Sequence, residues 1–391
     1  MMAAIQAARL GRRVVLCEGR SRLGLKLLAS GGGRCNVTNT LPVSEIMERF
    51  GPQGRFMAPA LARLGPDQLR EFLRDLGVET HAPDGLHVFP VTHQATTVHA
   101  ALLREMDRLG VDVRPSLPVP SLDMVDDAIA GVRTADGYLS ASAVLLATGG
   151  RGYPALGGGD SGYDLARQAG HRITALHPAM VPLRTEGTWP ANCRADTVPK
   201  ASLIVRGKGR RGISGTGDLI FTKTGLAGPL VLDVARDITP LLDRQGTVPA
   251  MLRLTHASEQ EWNDRLSALP PGATLAQSLE NWLPATLADA FCGIAGLPTT
   301  QPTPLASRIA HRLAALLAQT PITLCGSEGW DHAMVTRGGV ALNQVEPETL
   351  ESRHVRGLHF AGEMLDLDGP CGGFNLQWAF ASGSLAATSF P

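Results

Sequence analysis

The chain has 391 residues, 44% of them hydrophobic, which is enough to bury large cores and suits two or three domains. Lysine plus arginine equals aspartate plus glutamate at 36 each, so no positive surplus points to nucleic acid or to an anionic membrane surface. Charges interrupt every apolar run before the roughly 18 residues of a membrane-crossing helix, and the first ten residues lack a basic leader and a cleavage-like site, so the expectation is a cytoplasmic protein.

Met2 to Leu10 reads as an alanine-rich helix ended by Gly11, and Arg13 to Glu18 as a short buried strand finishing in a carboxylate. This is the second half of a dinucleotide-binding βαβ unit, in which an acid at the end of the second strand accepts hydrogen bonds from ribose hydroxyls; Glu18 takes that role. The strand and G-x-G-x-x-G turn that precede such a helix are missing, so the expectation is a start inside the motif, by truncation or a misplaced first codon. After a turn at Gly24 to Leu28 comes Ser30-Gly31-Gly32-Gly33-Arg34-Cys35-Asn36-Val37-Thr38-Asn39. Glycines let N–H groups form a concave anion-binding turn, and Arg34 adds a charge-assisted fork, so a phosphate or a flavin is expected there. Read alone, the same stretch also fits a solvated surface turn.

Asp67 to Leu76 reads as an amphipathic helix, Gly85 to Pro90 as a strand, and Thr97 to Leu109 as a helix leading to the strand Val111 to Val113. The six cysteines, at 17, 35, 193, 292, 325 and 371, never form a C-x-x-C or zinc-like spacing, so neither a metal site nor a dithiol redox pair is expected. Ala143 to Ala147 is a continuous apolar run, as in a parallel strand, and stops at Thr148-Gly149-Gly150. These glycines would let a diphosphate or ribityl chain cross the carboxyl edge of the sheet. Gly157 to Gly162 satisfies G-x-G-x-x-G before a helix from Tyr163 to Ala169, but a loop separates it from the strand, and the following strand, Ile173 to Leu176, ends in a histidine. A second dinucleotide site is therefore not expected.

From residue 182 the texture changes. Ala201 to Val205, Gly217 to Phe221, Pro229 to Asp233 and Ala250 to Leu254 read as short strands of a small barrel or sandwich, and residues 258 to 319 as helices, with capping-box spacing from Ser258 to Glu261. Gly357 to Ala361 returns as a strand with Gly362-Glu363 as its polar exit. Gly372-Gly373-Phe374-Asn375 then opens a helix from Leu376 to Gly383. The amino end of that helix offers N–H groups and a positive dipole to an electron-rich flavin.

The Glu18 unit, the glycine box, Ala147 to Gly150, Gly217 to Pro229, Val335 to Val340, and Phe360 to Glu363 with Gly372 to Gln377 occur in register over nearly the whole chain. Together they resemble the NAD(P)/FAD-dependent flavoprotein family that includes aminoacetone oxidase-like enzymes and a bile-acid dehydro-reductase. The resemblance implies an α/β fold: a discontinuous Rossmann-like FAD-binding domain over 1–181 and 326–391, a β-barrel or sandwich-like insertion over 182–256, and a helical insertion over 257–325. It implies FAD against Glu18, Lys26, Ser30, Gly32, Gly33, Arg34, Cys35, Asn36, Thr148, Gly149, Gly150, Gly373, Phe374, Asn375 and Leu376. Val119 would pass the adenine and Glu363 would hold a ribityl hydroxyl. Tyr153, Thr336 and Arg337 are substrate-cleft candidates beside the inserted domain, and no catalytic acid or base is assigned. The implied activity is hydride transfer between flavin and a small-molecule substrate, with NAD(P)H as a transient electron donor. An amine or aminoketone oxidase using oxygen and a truncated, non-catalytic flavin binder are the alternatives.

Overall fold

The computed structural model describes every residue except 195 and 207–211. The chain divides into two compact units, residues 1–177 with 335–391 and residues 178–334.

In the first unit, the helix Met2–Arg9 ends where Gly11 adopts a left-handed φ of 78° and Arg12 N–H returns to Ala7 O. The strand that follows, Val15–Cys17, pairs in parallel with Asp112–Arg114, and the helix Ala95–Arg108 lies between them in sequence. The pairing extends past both strands, since Leu117 N–H donates to Glu18 O at 2.8 Å. This strand is not buried as its sequence suggests: Val15 is 39% exposed, and Leu16 and Cys17 are half-buried. A second parallel pair joins Val144–Leu146 to Leu358–Phe360. The expected strand at Ile173 to Leu176 reduces to a single bridge from Ile173 to Val340, and Leu25–Ala29, read as a turn, is one short helix.

The last helix, Phe374–Thr388, organises this unit. Its sequence has no polar face, and it is buried on nearly all sides, against Met2–Arg9 and Ala58–Arg63 among others. Several polar groups inside it find partners. Gln377 Nε2 donates to Leu64 O at 2.7 Å, Trp378 Nε1 donates to Gly362 O at 3.0 Å, and Ser382 Oγ accepts Gly362 N–H at 2.9 Å.

The second unit holds a closed antiparallel barrel. Among the described residues its strands run in the order Leu183–Thr185, Gly225–Ala227, Ile213–Phe221, Thr197–Val205, Val248–Arg253 and Thr320–Ser327, the last pairing with the first. Pro229 to Asp233, read as a strand, is instead the start of the helix Pro229–Gln245. Over five residues an apolar run has no readable period. Over seventeen, the buried set Leu230, Val231, Val234, Ala235, Ile238 and Leu242 is helical, and Pro229 at the first turn suits a helix start. Glycines in the facing strand let this helix approach, since a Cβ at Gly215 would lie 2.6 Å from Val234 Cγ1. The helices Glu259–Ser267, Leu275–Leu279, Ala285–Ile294 and Ser307–Ala318 share one core with the barrel, around Trp262, Phe291 and Leu313. Ser258 and Glu261 form the expected capping box. No helix among the described residues is long and apolar enough to cross a membrane.

One ion-pair cluster ties the first helix of the first unit to Ala95–Arg108. The nearly buried carboxylate of Glu105 accepts from Arg9 at 2.7 Å and Arg108 at 2.7 Å. Arg108 and, after it, Arg9 hold this carboxyl at about 2, against the opposing effect of burial. Because the folded value lies below the unfolded one, the cluster stabilises fully above about pH 4.5, and its contribution is lost as pH falls towards 2. Glu105→Gln should cost about 2 kcal/mol at pH 7 and lower the melting temperature by several degrees. Thermal melts at pH 7 and pH 3 check this, and the gap to the unsubstituted protein should shrink at the lower pH.

Candidate functional site

The first unit brings the expected residues together at the carboxyl ends of its parallel strands. Glu18 leaves the Val15–Cys17 strand with one carboxylate oxygen accepting Arg20 N–H at 2.8 Å. Val119, two residues beyond Leu117, is half-buried and packs on the core of the unit.

The glycine box is a tight turn built from left-handed residues: Gly31, Gly32, Gly33 and Cys35 have φ of 56°, 66°, 85° and 61°. Only glycine takes such a run without strain, and Cys35 is the one side chain that accepts it. A Cβ on Gly31 would lie 3.0 Å from Asn36 N, whereas one on Gly32 or Gly33 would meet no atom within 4 Å. The last two therefore leave open space above their backbone. Arg34 lies on the Phe89 ring with its guanidinium carbon 5.1 Å from the centroid, and its Nε donates to Gly31 O at 3.2 Å. Burial pushes the Cys35 thiol up to about 11, partly offset by Ser30, so this sulfur stays protonated at neutral pH. Ser30 Oγ donates to Leu27 O at 2.6 Å and closes the preceding helix.

Two asparagines join this turn to the amino end of the last helix. With its carboxamide turned to satisfy both ends, Asn36 donates to Thr38 O at 2.8 Å and accepts Gly373 N–H at 3.2 Å. Asn39 Nδ2 donates to Gly372 O at 3.1 Å. The contact is so close that a Cβ on Gly373 would fall 2.4 Å from Thr38 O. Asn375 braces the approach by accepting Gly369 N–H at 2.8 Å. No side-chain hydrogen bond caps the helix at Gly373, and its first turn carries Phe374 and Leu376.

A second cluster lies beyond the strand Val144–Leu146. Gly149 is left-handed at φ 78° with no atom within 4 Å of its Cβ position. Gly150, in contrast, has to be glycine because a Cβ would lie 2.2 Å from Glu363 Oε1 and 2.4 Å from Thr336 Oγ1. Thr148 Oγ1 lies 2.9 Å from Met364 Sδ. Glu363 pairs with Lys26 at 2.8 Å through one oxygen and accepts Thr336 N–H at 2.7 Å through the other. Tyr153 is left-handed at φ 60°, and its carbonyl accepts the N–H groups of Leu156 and Gly158. The Arg337 guanidinium lies 3.8 Å from the nearly buried carboxylate of Asp368.

Phe89, Asp368 and Tyr163, whose hydroxyl donates to Glu363 O at 3.3 Å, belong to the site but were not singled out in the sequence for it. Their partners are 55, 31 and 200 residues away, and no local pattern encodes such pairings.

A protein-family model, the HI0933-like protein Rossmann domain, matches residues 1–389. The chain is 32% identical to the 3-dehydro-bile acid delta(4,6)-reductase of Clostridium scindens, covering 99% of this chain and 95% of that one. It is 27% identical to the ribosomal RNA dihydrouridine synthase of Escherichia coli, covering 98% and 93%. Among solved structures, 3-ketosteroid delta1-dehydrogenase from Sterolibacterium denitrificans aligns with a TM-score of 0.53 at 12% identity, covering 99% of this chain and 96% of that one, a likeness of fold alone. A relative named for ribosomal RNA removes the ground for excluding nucleic acid from a balanced net charge, which averages over the whole surface.

The fit at Gly150 gives a direct test. Gly150→Ala should push the 149–152 turn off the Glu363 carboxylate and cost ~1–3 kcal/mol. The expected outcome is a lower melting temperature, whereas Gly149→Ala, limited by backbone strain alone, should cost about 1 kcal/mol.

Proposed function

The chain belongs to the HI0933-like FAD-binding Rossmann family and is a flavin-dependent oxidoreductase; from that premise we propose that it uses NAD(P)H to reduce a carbon–carbon double bond conjugated to a carbonyl in a small cyclic substrate. The reading of the cofactor site is supported by three backbone surfaces of the first unit, Gly32–Gly33 and Gly149, whose Cβ positions meet no atom within 4 Å, and the amino end of Phe374–Thr388, which the Asn36–Gly373 bond joins to the glycine box. Such surfaces suit a long, polar, anionic group that needs close backbone approach. The reaction class draws support from the relatives' names. One is a reductase at delta(4,6) positions and the other makes dihydrouridine, and both names describe hydrogen added to ring double bonds.

The residues present fit FAD. Glu18 would take the adenosine ribose, with Val119 beside the adenine. The glycine box would hold the nucleotide by backbone N–H groups, and Arg34, kept in place by Phe89, would add charge. Thr148 and Gly149 would border the ribityl chain. The amino end of Phe374–Thr388, at Phe374 and Leu376, would lie toward the electron-rich side of the ring system and favour its reduced state. When bound, FAD would supply hydride transfer from a reduced nicotinamide to one carbon of the double bond, with the balancing proton on the other carbon drawn from solvent. Arg337, with Asp368 beside it, would fix an anionic group of the substrate, and Tyr153 would border the same space.

Two experiments check this reading. Glu18→Ala should weaken FAD binding about ten- to hundredfold, the worth of a charged hydrogen bond, without lowering the melting temperature of the apoprotein. In anaerobic mixing, the FAD-loaded protein should bleach near 450 nm with NADH or NADPH and recover its colour with a 3-dehydro-bile acid carrying 4,6 unsaturation. Bleaching by aminoacetone and not by either nicotinamide would replace the reductase with an oxidase, and colour recovery with unmodified ribosomal RNA alone would move the substrate to nucleic acid.

A further inference from the structure

The Glu363 carboxylate joins stretches of chain that are far apart in sequence. Oε2 pairs with Lys26 on the helix Leu25–Ala29 at 2.8 Å, and Oε1 accepts Thr336 N–H at 2.7 Å. Thr336, 1% exposed, passes the connection on, because its Oγ1 accepts Gly152 N–H at 3.1 Å. Gly150 leaves the space that the carboxylate and the Thr336 hydroxyl fill. The backbone of Glu363 is held in turn by the hydroxyl of the fully buried Tyr163. Both carboxylate oxygens therefore face protein partners. The side chains of Lys26 and Glu363 are 28% and 20% exposed, partly shielded from water, so the pair orients its neighbours more firmly than a surface pair would.

We propose that the Lys26–Glu363–Thr336–Gly152 chain is a positioning device that locks the 149–158 turn and the Val335–Arg337 strand to the helix preceding the glycine box. Glu363 acts through Thr336, and Thr336 through the Gly152 amide. Arg337 and Tyr153 ride on the two segments that this chain fixes. The device thereby sets where a substrate lies relative to the cofactor-holding segments. This inference rests on the proposed reductase reading, and the test below separates the failure of one from the failure of the other.

The test is hydrogen exchange of the FAD-loaded protein and of Thr336→Val, Thr336→Ser and Glu363→Gln, followed in peptides spanning 149–158 and 334–338. Thr336→Val removes the acceptor of the Gly152 amide and should speed exchange in 149–158 about tenfold, while Thr336→Ser, which keeps the oxygen, restores protection. Glu363→Gln should speed exchange in both peptides, including the 149–158 turn, which the carboxylate touches at Gly150 and holds through Thr336. With the 4,6-unsaturated 3-dehydro-bile acid as substrate, Thr336→Val should raise KM about fivefold, with a smaller change in kcat. Equal exchange in the valine and serine variants, or a Glu363→Gln effect confined to 334–338, overturns the proposal. Protein that retains no FAD overturns the reductase reading instead, and the exchange comparison on that protein still decides whether the four residues are coupled.

Discussion

A helix without a polar face needs burial on nearly every side, and Phe374–Thr388 imposes that requirement on the first unit. Its burial forces Gln377, Trp378 and Ser382 to find partners on Leu64 and Gly362, which fixes the turn after Leu358–Phe360. It also brings the amino end of the helix up against the glycine box, where Asn36 and Asn39 meet Gly373 and Gly372. The turn that would receive an anionic group and the helix end that would stabilise negative charge are thus one assembly.

A second constraint is the shape of the backbone at the carboxyl edge. Gly32, Gly33 and Gly149 look into open space, whereas Gly150, Gly162 and Gly373 are pressed against other atoms. The two groups do different work: the first leaves room for something to approach, and the second lets the protein approach itself. At Gly162, the last glycine of the G-x-G-x-x-G at 157–162, a Cβ would fall against Thr148 Oγ1, so this glycine lets the helix Ser161–Gln168 approach Thr148. Gly162 thus serves close packing, whereas Gly159 has no atom within 4 Å of its Cβ position.

Electrostatics then refine what packing positions. The Glu105 cluster fixes one helix pair, and the Lys26–Glu363 pair lies among the segments around the site. Cys35 shows the opposite use of burial. With its thiol pushed up to about 11, it contributes backbone geometry to the turn and no thiolate. This agrees with flavin-based redox chemistry, in which the protein supplies placement and charge.

Much of this was legible in the residues themselves. The left-handed glycine box, the apolar strands Val144–Leu146 and Leu358–Phe360, the capping box at Ser258 and the glycine turn at Gly372 depend on backbone chemistry within a few residues, so sequence determines them directly. Other features depend on partners that the chain brings from far away. Pro229 to Asp233 reads as a strand until the helical period is followed to Leu242 on the packed face against Gly215, and the exposed Val15 reads as buried because its apolar type says nothing about what covers it. Glu363 reads as a free carboxylate at a strand exit, and only the fold sets it against Lys26, 337 residues away, and against Thr336. The sequence by itself determined which backbone turns can admit a cofactor, because steric freedom is local. The tertiary structure alone decided which polar side chains remain for that cofactor and which are already engaged, because a hydrogen bond between distant residues leaves no periodic trace in the sequence.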